Sequence, residues 1–261
     1  MPGPTSPGMF VMRSITLSCF LFLLACGAAG DPLVQSTAAA AGWLRTQTAP
    51  DAGTLHAAAE AAALLHDQPL LEWVQQQRGA FANDAWIALL DRQTAAVQPA
   101  TARQGHAKLH RYLLASLAPP DDPIAAAVLR EFLGLELHGY MLTHQLYALR
   151  WARERGAKDA VSTERVQQLV QRMRAAFDAL PVFSDLYAEQ ANLLLAFGER
   201  LPKSSIERLT QAQHSDGSFR DETSWNLVFD GEAVASVSNP VHTTAQALLA
   251  LARWKCGESQ R

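Results

Sequence analysis

Apolar side chains recurring at three- and four-residue steps constrain this chain more than any other feature. Val166, Leu169, Val170, Met173, Phe177 and Leu180 fall on one face of a helix, which predicts a long amphipathic helix beginning near Ser162. Comparable stripes lie near residues 33–47, 54–65, 68–79, 83–92, 106–117, 141–154, 185–199 and 240–254. The helix ends carry their own signals. Asp122 before Pro123 joins a capping carboxylate to a residue tolerated at the first helical position. Ser204 with Glu207 has the spacing of a capping box and predicts a helix start at that serine. About eleven helices with short connections imply an all-α fold of antiparallel helical hairpins. Strand signals are nearly absent. The one candidate is Trp225–Val237, inside what reads as the longest irregular stretch, Asp216 to Pro240.

The amino end has a different logic. Arg13 precedes an apolar run from Ile15 to Ala25, and Cys26, Gly27, Ala28, Ala29 and Gly30 follow. A positive residue, a short greasy core and a small-residue exit read as a signal peptide over residues 1–30. The run falls well short of the roughly twenty residues that a membrane-spanning helix needs. Met9 and Met12 are alternative starts, since the Pro- and Gly-rich residues before them add nothing to the signal. Of the three cysteines, Cys19 would leave with the signal, Cys26 would carry a lipid at the new amino end, and only Cys256 is left, in a carboxyl-terminal stretch expected to fray. No internal disulfide can then form.

Residues 31–261 read as one helical domain, because 49% hydrophobic composition supplies one sizeable core and no long linker divides it. Loss of Arg13 with the signal takes the formal net charge from −3 to −4. No basic cluster interrupts the remainder, which argues against a nucleic-acid partner. Phosphate-cradling glycine loops, GxSxG, SxxK and HExxH are all missing.

Three resemblances add to this reading. Leu23, Leu24, Ala25 and Cys26 resemble the lipobox of bacterial lipoproteins. That implies lipidation at Cys26 and a membrane partner through the lipid, and Gly27 implies outer-membrane placement facing the periplasm or exterior. Cleavage after Ala29 or Gly30, giving a soluble periplasmic or secreted protein, is the alternative. Second, Gln213-His214-Ser215-Asp216-Gly217-Ser218-Phe219 followed by His242-Thr243-Thr244-Ala245 resembles the repeat style of the terpenoid cyclase and protein prenyltransferase superfamily. This likeness implies an α/α toroid, here a small or incomplete one, with inner helices lining a cavity. The prenyltransferases bind zinc through Asp, Cys and His. Asp216 and His242 match two of these, but Ser218 stands where the thiolate belongs, so thiolate activation does not carry over. Third, the runs Gly139–Leu146, Phe183–Tyr187, Asp216–Gly217 and His242–Ala245 are similar to an uncharacterised family that includes a secreted vertebrate protein. That similarity covers roughly residues 135–250 and singles out His144, Asp185, Asp216 and His242, with no activity attached.

The chemistry of these positions is suggestive on its own. In a helix from Tyr140, the side chains of Tyr140, His144, Tyr147 and Trp151 share a stripe, giving a cavity wall of three aromatics and one imidazole. The partial positive charge at a helix start should keep His242 neutral, with Gln246 one turn on. If they converge, His144, Asp216 and His242 would suit a divalent metal with open positions, zinc being the candidate cofactor, or an acid/base pair. His106 and His110, one turn apart, read as part of an ordinary amphipathic face. Two functions follow. One is an exported lipoprotein whose cavity binds or processes an envelope ligand; the other is a helical scaffold that docks partner proteins. A polar cavity favours the first, and a dry core with an exposed apolar patch favours the second.

Overall fold

A computed structural model describes residues 31–82, 84–91, 108–157, 162–221, 225–237 and 239–259. The expected signal segment, Cys26 and His106 lie outside them. The fold is all-α, with eleven α-helices among the described residues: α1 Pro32–Leu44, α2 Ala52–Leu65, α3 Gln68–Arg78, α4 Ile87–Leu90, α5 Lys108–Ala115, α6 Pro123–Gly134, α7 Tyr140–Glu154, α8 Thr163–Asp178, α9 Asp185–Ala196, α10 Lys203–Gln211 and α11 Pro240–Ser259. Several begin where their capping residues dictate. Asp122 accepts from the amides of Ile124 and Ala125, and Ser162 accepts from that of Arg165. The start of α10 differs from expectation. Pro202 occupies the cap position and makes no side-chain cap, so Ser204 lies inside the helix rather than at its head.

Trp225–Val237 forms an antiparallel hairpin, β1 Trp225–Phe229 and β2 Glu232–Val237, and this corrects the expected irregular stretch. Asp230 and Gly231 form its two-residue turn, both with positive φ, the conformation that matches the twist of paired strands. Cys256 also departs from expectation. It lies within α11, half-buried, and its thiol donates to the carbonyl of Leu64 at 3.4 Å.

Cross-helix contacts fix how the central helices run. At their amino ends, Tyr140 of α7 meets Asp185 of α9, which meets Thr243 of α11, and His242 of α11 lies beside Asp51 at the head of α2. At the other end, Glu60 of α2 binds Arg150 of α7 and Arg253 of α11. Helices α2, α7, α9 and α11 are therefore parallel, with the intervening helices returning the chain between them. Alanine makes the approach of α2 to α11 possible: Ala57, Ala58, Ala61, Ala245 and Ala252 are all buried to within about a hundredth of their surface. One apolar cluster runs from Ala40 in α1 to Ala252 in α11. No helix among the described residues is long and apolar enough to cross a membrane.

Candidate functional site

The parallel helices enclose a cavity of about 480 Å³. Each contributes a stripe at helical spacing: Gly53, His56 and Glu60 from α2; Tyr140, His144, Tyr147 and Trp151 from α7; Asp185, Glu189 and Asn192 from α9; His242, Gln246 and Leu249 from α11. Phe81, Trp86, His110 and Leu113 close the remaining wall. The α7 stripe expected from spacing thus faces the cavity as a unit, with the rings of Tyr147 and Trp151 stacked at 5.6 Å.

The stripes stack into levels. Where the helices begin, Asp185 accepts from the hydroxyl of Tyr140 at 3.0 Å and from that of Thr243 at 2.7 Å. One turn in, Glu189 accepts from the hydroxyl of Thr143 at 2.6 Å and meets Nε2 of His242 at 3.0 Å. Nδ1 of His242 lies 3.8 Å from Asp51, which caps α2 through Thr54. The third level is neutral. Gln246 accepts from Tyr147 at 2.7 Å and from the Asn192 amide at 2.9 Å. At the far end Glu60 is held between Arg150 and Arg253, with His56 at 3.8 Å.

His144 uses Nδ1 against the carbonyl of Tyr140 at 2.6 Å. A carbonyl only accepts, so Nδ1 carries a proton and is the donor in this bond. This bond is the one a satisfied core histidine makes, yet the ring is only half-buried and lines the cavity.

Electrostatics divide the carboxylates. Burial raises the pKa of Asp185 to about 6, and the charge of Glu189 adds to this against the opposing effects of His242, Thr243 and Tyr140. Glu189 is equally buried, but its bond to His242 and the charges of His242 and His144 overcome burial and hold it below the ordinary range. Burial also disfavours a charged His242. The charge of Asp185 and the bonds to Asp51 and Glu189 outweigh burial, so its pKa lies well above that of a free imidazole. The expected neutral His242 is corrected here, because three carboxylates overcome the partial charge of one helix end. Those carboxylates are tolerated in turn by position: Asp185 opens α9 and Asp51 caps α2, both at positive helix ends.

Of the residues singled out in the sequence, Tyr140, His144, Tyr147, Trp151, Asp185 and His242 line one cavity. Asp216 does not. It is exposed, where it accepts from the amide and hydroxyl of Ser218 at 3.0 and 2.6 Å and pairs with Arg220. Its neighbour Gly217 explains the motif, since a Cβ there would stand 2.5 Å from the carbonyl oxygen of Ala39. Asp216-Gly217 is a turn fitted against α1, and the expected ligand set of His144, Asp216 and His242 does not assemble. Asp185, Glu189 and His242 are the residues whose donor atoms converge, all within 4.8 Å of one another. Glu189 was missed, although its four-residue offset from Asp185 was visible. His110, which the sequence reads as part of an ordinary amphipathic face, lies edge-on to Trp86 at 5.6 Å in the cavity wall. No family model, curated protein or solved structure matches the chain.

Proposed function

We propose that this protein is an exported cell-envelope lipoprotein, anchored through Cys26 at the outer membrane, whose α/α-toroid cavity binds or processes a small envelope ligand. The observation that carries the reading is the gathering of Asp185, Glu189 and His242 at one end of an aromatic-walled cavity. Four parallel helices around a cavity, with partners returning between them, are what a small toroid requires. A fold held by packing alone has no need of two buried carboxylates facing open space, because each costs desolvation that apolar side chains avoid. Stacked rings beside amides and carboxylates suit a compact ligand bearing hydroxyl or amine groups. In processing, Nε2 of His144 would accept a proton from the ligand.

The scaffold alternative draws less support. Among the described residues only Ile124 and Val182 are large, apolar and exposed, too little for a docking patch of a few hundred Å². Gly53 offers the test. A Cβ at this position would lie 3.2 Å from Oδ1 of Asp51 and 3.8 Å from Cε1 of His242, so a Leu side chain covers the acidic end, displaces Asp51 by a few tenths of an ångström and leaves Asp185 and Glu189 in place. Tryptophan fluorescence of the purified chain would be titrated with glucosamine, N-acetylmuramic acid and spermidine. We expect saturable binding of at least one and a tenfold or greater weakening in Gly53→Leu. Binding of none, or equal binding by the variant, would contradict the reading.

A further inference from the structure

We propose that Asp185, Glu189 and His242 bind one first-row divalent cation at the amino-terminal end of the cavity. The three donors come from two parallel helices, α9 and α11, each held by a hydrogen-bonded cap or neighbour. Their donor atoms lie within 4.8 Å of one another, with Oε1 of Glu189 and Nε2 of His242 already 3.0 Å apart. Ligands about 2.0–2.2 Å from a metal at tetrahedral angles stand about 3.4 Å apart, so side-chain rotations that draw the donors together close the set.

The surroundings supply what a metal centre needs. Thr143 fixes one oxygen of Glu189, while Thr243 and Tyr140 fix those of Asp185. Hydroxyl donors of this kind orient carboxylate ligands and tune their basicity. Two carboxylates balance a divalent charge, and coordination replaces the His242–Glu189 hydrogen bond, with the imidazolium proton leaving to solvent. A mixed set of one imidazole and two carboxylates suits zinc or manganese better than calcium or magnesium, which favour oxygen alone. Three protein ligands on one side leave positions open toward the cavity.

Two polar groups in the wall of the same cavity have an atom without a partner within the protein. Asn192 lies on the same α9 stripe, fully buried in the cavity wall, with its amide nitrogen bonded to Gln246 and its carbonyl oxygen without a partner. Trp151, also in the wall, has a buried indole N–H without a partner. Buried polar atoms are rarely left in this state unless a ligand or water meets them.

This inference rests on the cavity reading but is tested apart from it. The purified chain, stripped with chelator, would be titrated with Zn²⁺ and with Mn²⁺ by calorimetry. One site per chain is expected, weakened a hundredfold or more in Asp185→Asn, Glu189→Gln and His242→Gln. Because those variants also disturb a buried network, pulsed electron paramagnetic resonance on the Mn²⁺-loaded wild type provides a second readout, in which coupling to a single imidazole nitrogen is expected. Absence of binding, binding unchanged in all three variants, or a spectrum with no nitrogen coupling would overturn the metal site. Ligand binding by the metal-free protein in the Gly53 experiment would leave the cavity reading standing in that event.

Discussion

Glu189, at the start of the second turn of α9, meets His242 in the first turn of α11, with Nε2 of the imidazole 3.0 Å from Oε1 of the carboxylate. The parallel course of the two helices creates this meeting, since it brings their amino ends to the same level. It also places Asp185, one turn before Glu189, against Thr243, the residue after His242. Any substitution here acts on a coupled set of charges rather than on one side chain.

His242→Ala should therefore be costly to stability. It would leave Glu189 and Asp185 buried without their cation, and breaking a buried pair from one side costs about 3–5 kcal/mol. Urea unfolding would show a lower midpoint at unchanged slope. A midpoint like wild type would mean that the carboxylates find other compensation.

Acid should weaken the far end of the cavity. Burial opposes ionisation of Glu60, yet His56, Arg150 and Arg253 overcome it and lower its pKa from 4.5 to about 2. A depressed carboxyl contributes stability that is complete above its unfolded pKa and is lost as pH falls through its folded pKa. Between about pH 4.5 and 2 the wild type should lose on the order of 3 kcal/mol from this group. Glu60→Gln should flatten that part of the pH–stability curve. An unchanged slope would show that the arginines stabilise the fold without Glu60.

Asp216 and Gly217 should behave oppositely despite being adjacent. Asp216→Asn should leave melting and ligand binding near wild type, because its carboxylate is exposed and its partners are local. Gly217→Ala should destabilise by on the order of 2 kcal/mol or more, since φ is +92° and the new Cβ would collide with Ala39. Loss of ligand binding in a well-folded Asp216→Asn variant would return that residue to the site.

For the address, a fatty-acid probe should label the wild-type chain in a lipoprotein-processing host and not a Cys26→Ala variant. Equal labelling of both would remove the lipid anchor.

The legible part of this molecule was whatever local spacing determines. The Tyr140–Trp151 stripe, the long helix from Ser162 and the Asp122 cap all follow from the immediate sequence. Convergence does not. Asp185 and Glu189 lie one turn apart, but Glu-Gln in a helix reads as solvent-facing until α11 is seen packed across it. Asp216 has the opposite history. Its motif stands out through the two family resemblances that include it, whereas the constraint lies in the glycine's approach to α1. Trp225–Val237 is legible as the one strand candidate, but its folding into a hairpin across Asp230-Gly231 is not, because its strands lack clear alternation. The charge on His242 depends on Asp185, Asp51 and Glu189 together, and Asp51 lies almost two hundred residues earlier in the chain.

The central claim is that the polar end of the cavity is retained for a ligand rather than for stability. Single substitutions cannot separate these, because each leaves an unpaired charge behind. The decisive measurement is equilibrium unfolding of the combined variant Asp185→Leu, Glu189→Met, His242→Leu, which removes the charges together and keeps the volumes similar. Replacing a buried ionic set by apolar side chains is often neutral or stabilising by about 1–4 kcal/mol. We expect the variant to unfold at the same or higher denaturant concentration than wild type while losing the ligand and metal binding described above. A combined variant several kcal/mol less stable than wild type would contradict the account and make the network a structural one.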